Sequence, residues 1–158
     1  SGTIALEKQD FDLPPLLQEI AETYQANARE KACMLTLTLP ETLPRCHGNP
    51  DRLEQVLIAL LDNALKFTPE KGDIYLMADV KQDFIEISVS DTGPGIAKED
   101  LPHIFERFYK ADKAHSGKGT GLGLAIANEL MQRLGETLRA ENRPEGGARF
   151  VVTVHLAE

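Results

Sequence analysis

The chain has 158 residues, long enough for one domain with a sizeable core, and 42% hydrophobic and 27% charged residues are ordinary for a globular protein. A net charge of −8 with no basic stripe argues against a nucleic-acid partner, because a duplex-binding surface needs clustered Lys and Arg. The longest apolar run is a few residues around Leu57 to Leu61, so no membrane contact is expected of this domain, and no signal peptide is visible.

Leu13, Leu16, Leu17, Ile20, Tyr24 and Ala28 recur at helical spacing behind Pro14-Pro15, which suit a first helical turn. "CMLTLTL" alternates, with Cys33, Leu35, Leu37 and Leu39 on one side, and reads as a strand. Asn49-Pro50 has the form of an N-cap followed by proline, opening a helix over 50–67. "DIYLMADV" and "DFIEISVSD" follow as a hairpin through Lys81-Gln82-Asp83. From Thr92 to Lys118 the chain reads as loop, with a short helical piece around 98–105. A helix from Thr120 to about Leu134 ends at Gly135, and "ETLRAEN" and "ARFVVTVHL" close the chain as a hairpin turned by residues 143–147. Paired strands interleaved with helices, without a strict β-α-β repeat, point to an α+β fold with helices on one face of the sheet. Cys33 and Cys46 make no redox or metal motif and are expected as buried free thiols of a cytoplasmic protein. His47, His103, His115 and His155 are scattered without metal-ligand spacing, so no histidine metal site is expected.

Three places carry chemistry. In "FIEISVSD", Ile85, Ile87, Val89 and Asp91 share one face, so Asp91 points toward the core. A buried carboxylate is costly unless it accepts hydrogen bonds. Either nearby loop amides satisfy it, or, under the glycines of "DTGPG", it accepts from a ligand such as an exocyclic amine. On the helix over 50–67, Leu53, Leu57, Leu60, Ala64 and Phe67 form the core stripe, with Asn63 roughly 80° from its centre at about 100° per residue. Ala59 and Lys66 fall on that same flank, which is either simply solvated or a site for metal-bound phosphates: an amide oxygen suits Mg²⁺, and lysine offers phosphate a point charge. Finally, "SGKGTGLGLA" fits neither the Walker A spacing nor the dinucleotide fingerprint. Its anchored helix would still present a positive N-terminal end to an anion, although glycine-rich loops also serve as linkers.

Taken together and in order, these segments resemble the catalytic, ATP-binding domain of bacterial sensor histidine kinases, within the gyrase/Hsp90/kinase/mismatch-repair ATPase superfamily. "LLDNALKFTP" is similar to the N box, "DTGPGI" to the first glycine box, "IFERFYKAD" to the F box, "GTGLGLAI" to the second glycine box, and "NRPEGGARFVVTV" to the terminal hairpin. The likeness runs from about Phe11 to Val154. It implies a two-layer α/β sandwich, the Bergerat fold, with a mixed, mostly antiparallel sheet and a mobile ATP lid over about 97–118. ATP and Mg²⁺ are the implied cofactors. Asn63 would hold Mg²⁺, Asp91 would accept from adenine, and Gly93, Gly95 and Ile96 would line the adenine side. Gly119, Thr120, Gly121, Leu122 and Gly123 would form the phosphate-side loop. Lys66, Tyr109 and Lys110 match positions that contact phosphates or ribose, and Asn63, Lys66 and Lys110 make up the implied catalytic set. Phe105 and Phe108 would pin the lid to the body.

Three residues depart from the family's pattern. Ala59 stands where sensor kinases usually carry a second asparagine, and where water-hydrolysing relatives carry a glutamate base. Lys110 replaces a common arginine, and Ala148 a common threonine. The phosphoaccepting histidine of these kinases is followed directly by Asp or Glu. Here the four histidines precede Gly48, Ile104, Ser116 and Leu156. The resemblance therefore implies the catalytic half of an enzyme, a single domain over 1–158 with 1–12 as the exit from a histidine-bearing dimerisation hairpin. That half would transfer the γ-phosphoryl of ATP to a histidine on the separate domain, serving a response regulator indirectly and standing as a monomer when isolated. An autonomous ATPase and a degenerate nucleotide-binding regulatory module are the alternatives.

Overall fold

The computed structural model describes residues 6–109 and 121–158. Its elements are β1 (Gln9–Phe11), α1 (Leu13–Glu30), β2 (Met34–Thr38), β3 (Cys46–Gly48), α2 (Pro50–Phe67), β4 (Asp73–Val80), β5 (Phe84–Asp91), a 3₁₀ turn (Leu101–His103), α3 (Gly123–Arg133), β6 (Leu138–Asn142) and β7 (Ala148–Leu156). The strands form one sheet in the order β1-β3-β7-β5-β4-β2, with β6 also paired to β7, and only β2–β4 is parallel. This is the mixed, mostly antiparallel α+β architecture that the sequence predicts. The 3-residue strands β1 and β3 carry no alternation long enough to read, and pairing with each other and with β7 is what makes them strands.

Helix α2 starts as expected. Asn49 has extended backbone, its side chain accepts from the Arg52 N–H at 3.0 Å, and Pro50 fills the first helical position. Its buried face comprises Leu53, Val56, Leu57, Leu60, Leu61 and Ala64; Phe67, expected on that stripe, is only half-buried because the helix ends there. Tyr24 of α1 donates to Asp62 of α2 at 2.7 Å, and burial together with that carboxylate pushes the phenol pKa up. The helices cover the face of the sheet built from Ile74, Leu76, Ile85, Ile87, Val89, Phe150, Val152 and Val154, all at most 3% exposed. The opposite face is less wet than expected. Ser88, Ser90 and Val151 are buried there, on the face that carries the Arg149–Glu141 and Arg139–Glu86 ion pairs.

Helix α3 is shorter at its start than the sequence suggests. Gly121 has φ 77°, which no helix accommodates, so the helix begins at Gly123 rather than Thr120. Its end follows the expectation: Gly135 at φ 74° donates to Gln132 O at 3.1 Å while Glu136 N donates to Met131 O at 2.8 Å, a Schellman turn. That turn delivers Glu136 into the notch along β7 between β6 and β3. There, almost fully buried, it accepts from Thr153 Oγ1 (2.7 Å), His155 N (2.9 Å) and His155 Nδ1 (2.8 Å). Both cysteines are free and buried, as expected. Replacing Glu136 with alanine should leave those donors unanswered and cost about 2–3 kcal/mol, read as a lower urea midpoint with unchanged m-value.

Candidate functional site

Asp91 ends β5 and is 4% exposed, on the core face with Ile85, Ile87 and Val89. Its Oδ1 accepts from Gly93 N at 2.9 Å and Ala148 N at 3.2 Å. Among the described residues nothing donates to Oδ2, so half of the carboxylate has a protein partner and half does not. Burial raises its pKa, opposed by the two amide N–H groups and by the Arg143 guanidinium. Arg143 Nη1 donates to the Asp91 carbonyl at 3.0 Å, and the guanidinium lies over the Tyr75 ring at 5.4 Å.

Two close backbone approaches hold this arrangement. A Cβ on Gly147, at φ 93°, would fall 1.9 Å from Asp91 O, and one on Gly93 would fall 2.7 Å from Phe67 O, at the end of α2. The glycine turn thus touches the last residue of the helix that carries Asn63 and Lys66. Thr92 Oγ1 accepts from Asp73 N at 2.9 Å, fixing the turn's first residue to β4. Beyond it, Gly95 takes φ 80°, and Ile96 is clasped by Asn142: Ile96 N donates to Asn142 Oδ1, and Asn142 Nδ2 to Ile96 O, both at 2.7 Å. A side-chain amide here pairs with backbone as a neighbouring strand would.

On α2, Asn63 is half-buried and its side chain makes no hydrogen bond to a described residue, so its amide oxygen is available. Lys66 is exposed, with Nζ 5.2 Å from the centroid of the Phe67 ring. Ala59, one turn before Asn63, offers no second ligand.

Beyond the glycine turn, Asp100 is buried and accepts from the Tyr109 hydroxyl. That bond pushes the phenol pKa up to about 12, and His103 stacks on the ring at 5.3 Å. Phe105 meets Phe150 edge-on at 6.3 Å, as an anchor should. Phe108 does not pin anything to the body: at φ 65° its ring turns outward, 67% exposed, while its N–H donates to Gly121 O at 2.9 Å. Buried Ile104 takes the anchoring place beside Phe105. A Cβ on Gly121 would fall 2.8 Å from Phe108 Cα, so that glycine serves this clasp, whereas Gly123 faces open space and Leu122 is half-buried. Helix α3 has no side-chain N-cap bond, leaving its first-turn N–H groups without that partner. Lys110, Gly119 and Thr120 lie outside the described residues.

The structure therefore brings Asp91, Gly93, Gly95 and Ile96 together beside the end of α2, and Tyr109 together with Gly121. Sequence reasoning missed Asn142, Arg143 and Gly147. The run "NRPEGG" announced only a turn, and its polar residues gave no sign of reaching back to Asp91 and Ile96.

A seven-stranded mixed sheet under three helices, with a buried strand-end carboxylate below a glycine turn, is the frame of a nucleotide-binding ATPase domain. The sequence model of the histidine kinase-, DNA gyrase B- and HSP90-like ATPases matches residues 48–158, and the chain belongs to that family. Among curated relatives, the adaptive-response sensory kinase SasA of Thermosynechococcus vestitus is 35% identical over 147 residues, 92% of this chain and 39% of that protein. The chain thus spans well under half the length of that relative. Among solved structures, the catalytic domain of histidine kinase ThkA superposes with a TM-score of 0.84 at 27% identity, covering 96% of this chain and 99% of that one. Full-length ShkA in complex with AMPPNP gives 0.85 at 32% identity, covering 98% and 32%.

Because burial raises the Asp91 pKa, the folded chain holds this proton more tightly than the unfolded one. The group's contribution to stability is fully present below the unfolded value of 3.8 and is lost as pH rises through the folded value. At neutral pH the ligand-free Asp91→Asn variant should therefore melt above the parent, with the difference shrinking as pH falls toward 4. Parallel thermal melts between pH 4 and 8 check this.

Proposed function

We propose that this chain is the ATP-binding catalytic domain of a sensor histidine kinase, transferring the γ-phosphoryl of ATP to a histidine on a separate dimerisation domain. The observation that carries the reading is the half-satisfied Asp91 carboxylate. Oδ1 is fixed by two backbone N–H groups and Oδ2 has no donor among the described residues, so an adenine amine would supply its partner. Gly93, Gly95 and Ile96 would line the adenine side, with Ile96 held in place by Asn142.

Asn63 fits Mg²⁺: its hard amide oxygen carries no competing hydrogen bond from a described residue, and a cation already bound to phosphates and water needs few protein ligands. Mg²⁺ would neutralise phosphate charge, which is its usual contribution to phosphoryl transfer. Lys66, one turn on, would contact phosphate oxygens, as would Lys110 and the loop containing Gly119, Thr120, Gly121, Leu122 and Gly123, at the N-terminal end of α3. The segment over 97–118 would close on the nucleotide from its base at Ile104 and Phe105, with Tyr109 near the ribose. Ala59 has no group to activate water, which favours transfer to a protein nucleophile over hydrolysis. The nucleophile, a histidine of the parent's hairpin, would then hand the phosphoryl to a response regulator.

Titration with a fluorescent ATP analogue should show micromolar binding, about −8 kcal/mol, weakened at least tenfold by Asp91→Ala. Unchanged affinity would remove the adenine assignment. Mixed with its parent's histidine hairpin and labelled ATP·Mg²⁺, the domain should label the hairpin, and Asn63→Ala should abolish that. Steady ATP hydrolysis by the domain alone would favour the autonomous ATPase. Nucleotide binding without transfer would favour the regulatory module.

A further inference from the structure

Spacing along the chain gave no reason to group any histidines, but the sheet brings two of them together. His47 on β3 is paired directly with His155 on β7. Residues opposed in this way project from the same face, with Cβ atoms about 5 Å apart. Both side chains are accessible, 47% and 56%. Their rings are oriented by the same device: His47 Nδ1 lies 2.7 Å from Asp10 Oδ1, and His155 Nδ1 lies 2.8 Å from Glu136 Oε2. A carboxylate can only accept, so Nδ1 carries the proton, and the Nε2 lone pair of each neutral ring has no partner among the described residues. Glu136 is itself immobilised by Thr153 and the His155 N–H. Carboxylates placed behind imidazoles in this way are what orients metal-ligating histidines and raises their basicity.

We infer that His47 and His155 form a two-imidazole chelate for a divalent transition cation of the Zn²⁺, Ni²⁺ and Cu²⁺ class, bound through both Nε2 atoms. Imidazole suits those metals, whereas Mg²⁺ takes oxygen, so this site is chemically distinct from the nucleotide's. Among the described residues no set of three His, Cys, Asp or Glu side chains converges on one point. Water fills the remaining positions, and the affinity is that of an open surface chelate, below that of a closed four-ligand zinc site. A bound cation ties β3 to β7, the seam through which β1 joins the sheet.

The test is calorimetric titration of tag-free, nucleotide-free protein with Zn²⁺, alongside thermal melts and Cu²⁺ electron paramagnetic resonance. One Zn²⁺ per chain should bind and raise the melting temperature, and Cu²⁺ should show two imidazole nitrogens. His47→Gln and His155→Gln should each weaken binding at least tenfold. His103→Gln should leave it intact, because that ring has the same kind of carboxylate partner, Glu106 at 2.8 Å, but no histidine paired opposite it. Since His155 also answers Glu136, His47→Gln is the cleaner variant, and its metal-free melt should match the parent's. Absence of saturable 1:1 binding, a single-nitrogen Cu²⁺ spectrum, or full binding by His47→Gln would overturn the site.

Discussion

One electrostatic constraint organises this molecule: a carboxylate sits where a strand buries its apolar face, and among the described residues only one of its two oxygens is answered. Asp91 could not stay there charged without the N–H groups of Gly93 and Ala148. The Gly93 N–H lies two residues on in the same turn, whereas that of Ala148 is in range because the β6–β7 turn folds back over the end of β5, close enough that Gly147 must lack a side chain. Arg143, from the same turn, then neutralises the carbonyl end of the strand. Burial of the carboxylate is thus compensated only in part, and its pKa is raised.

From that point the rest of the site follows by contact. The glycine turn after Asp91 presses on the carbonyl of Phe67, so α2 ends against it, and the flank carrying Asn63 and Lys66 is placed by the core face of the same helix. The next stretch of loop is not a strand, yet Asn142 holds Ile96 with two hydrogen bonds across 46 residues of sequence. Order is thus imposed on the glycine turn and Ile96 by the sheet's end, while the stretch around Leu101–His103 rests on a separate patch of Ile104, Phe105 and Phe150.

Much of this was legible in the sequence, for local physical reasons. The periodicities of α1, α2, β4, β5 and β7 are long and one-sided, and Asn49-Pro50 and Gly135 mark helix ends by their own conformational preferences. The inward direction of Asp91 followed from strand alternation alone. What could not be read depends on partners distant in sequence. The strands β1 and β3 exist through pairing, Phe108 turns outward through a backbone twist that no pattern encodes, and Asn142 looks like any polar residue at a hairpin. The pairing of His47 with His155 is of the same kind, since register is not written in either segment.

The order of the strands carries one more consequence. The last of these strands in chain order, β7, lies between β3 and β5, both of which precede α3. Without it, the β1–β3 pair has no attachment to the β5–β4–β2 block, so the sheet closes only when residues 148–156 arrive. Such long-range closure makes for slow, late folding. It also means that the segments before residue 110 and after residue 120 interlock through the sheet itself, as tongue and groove.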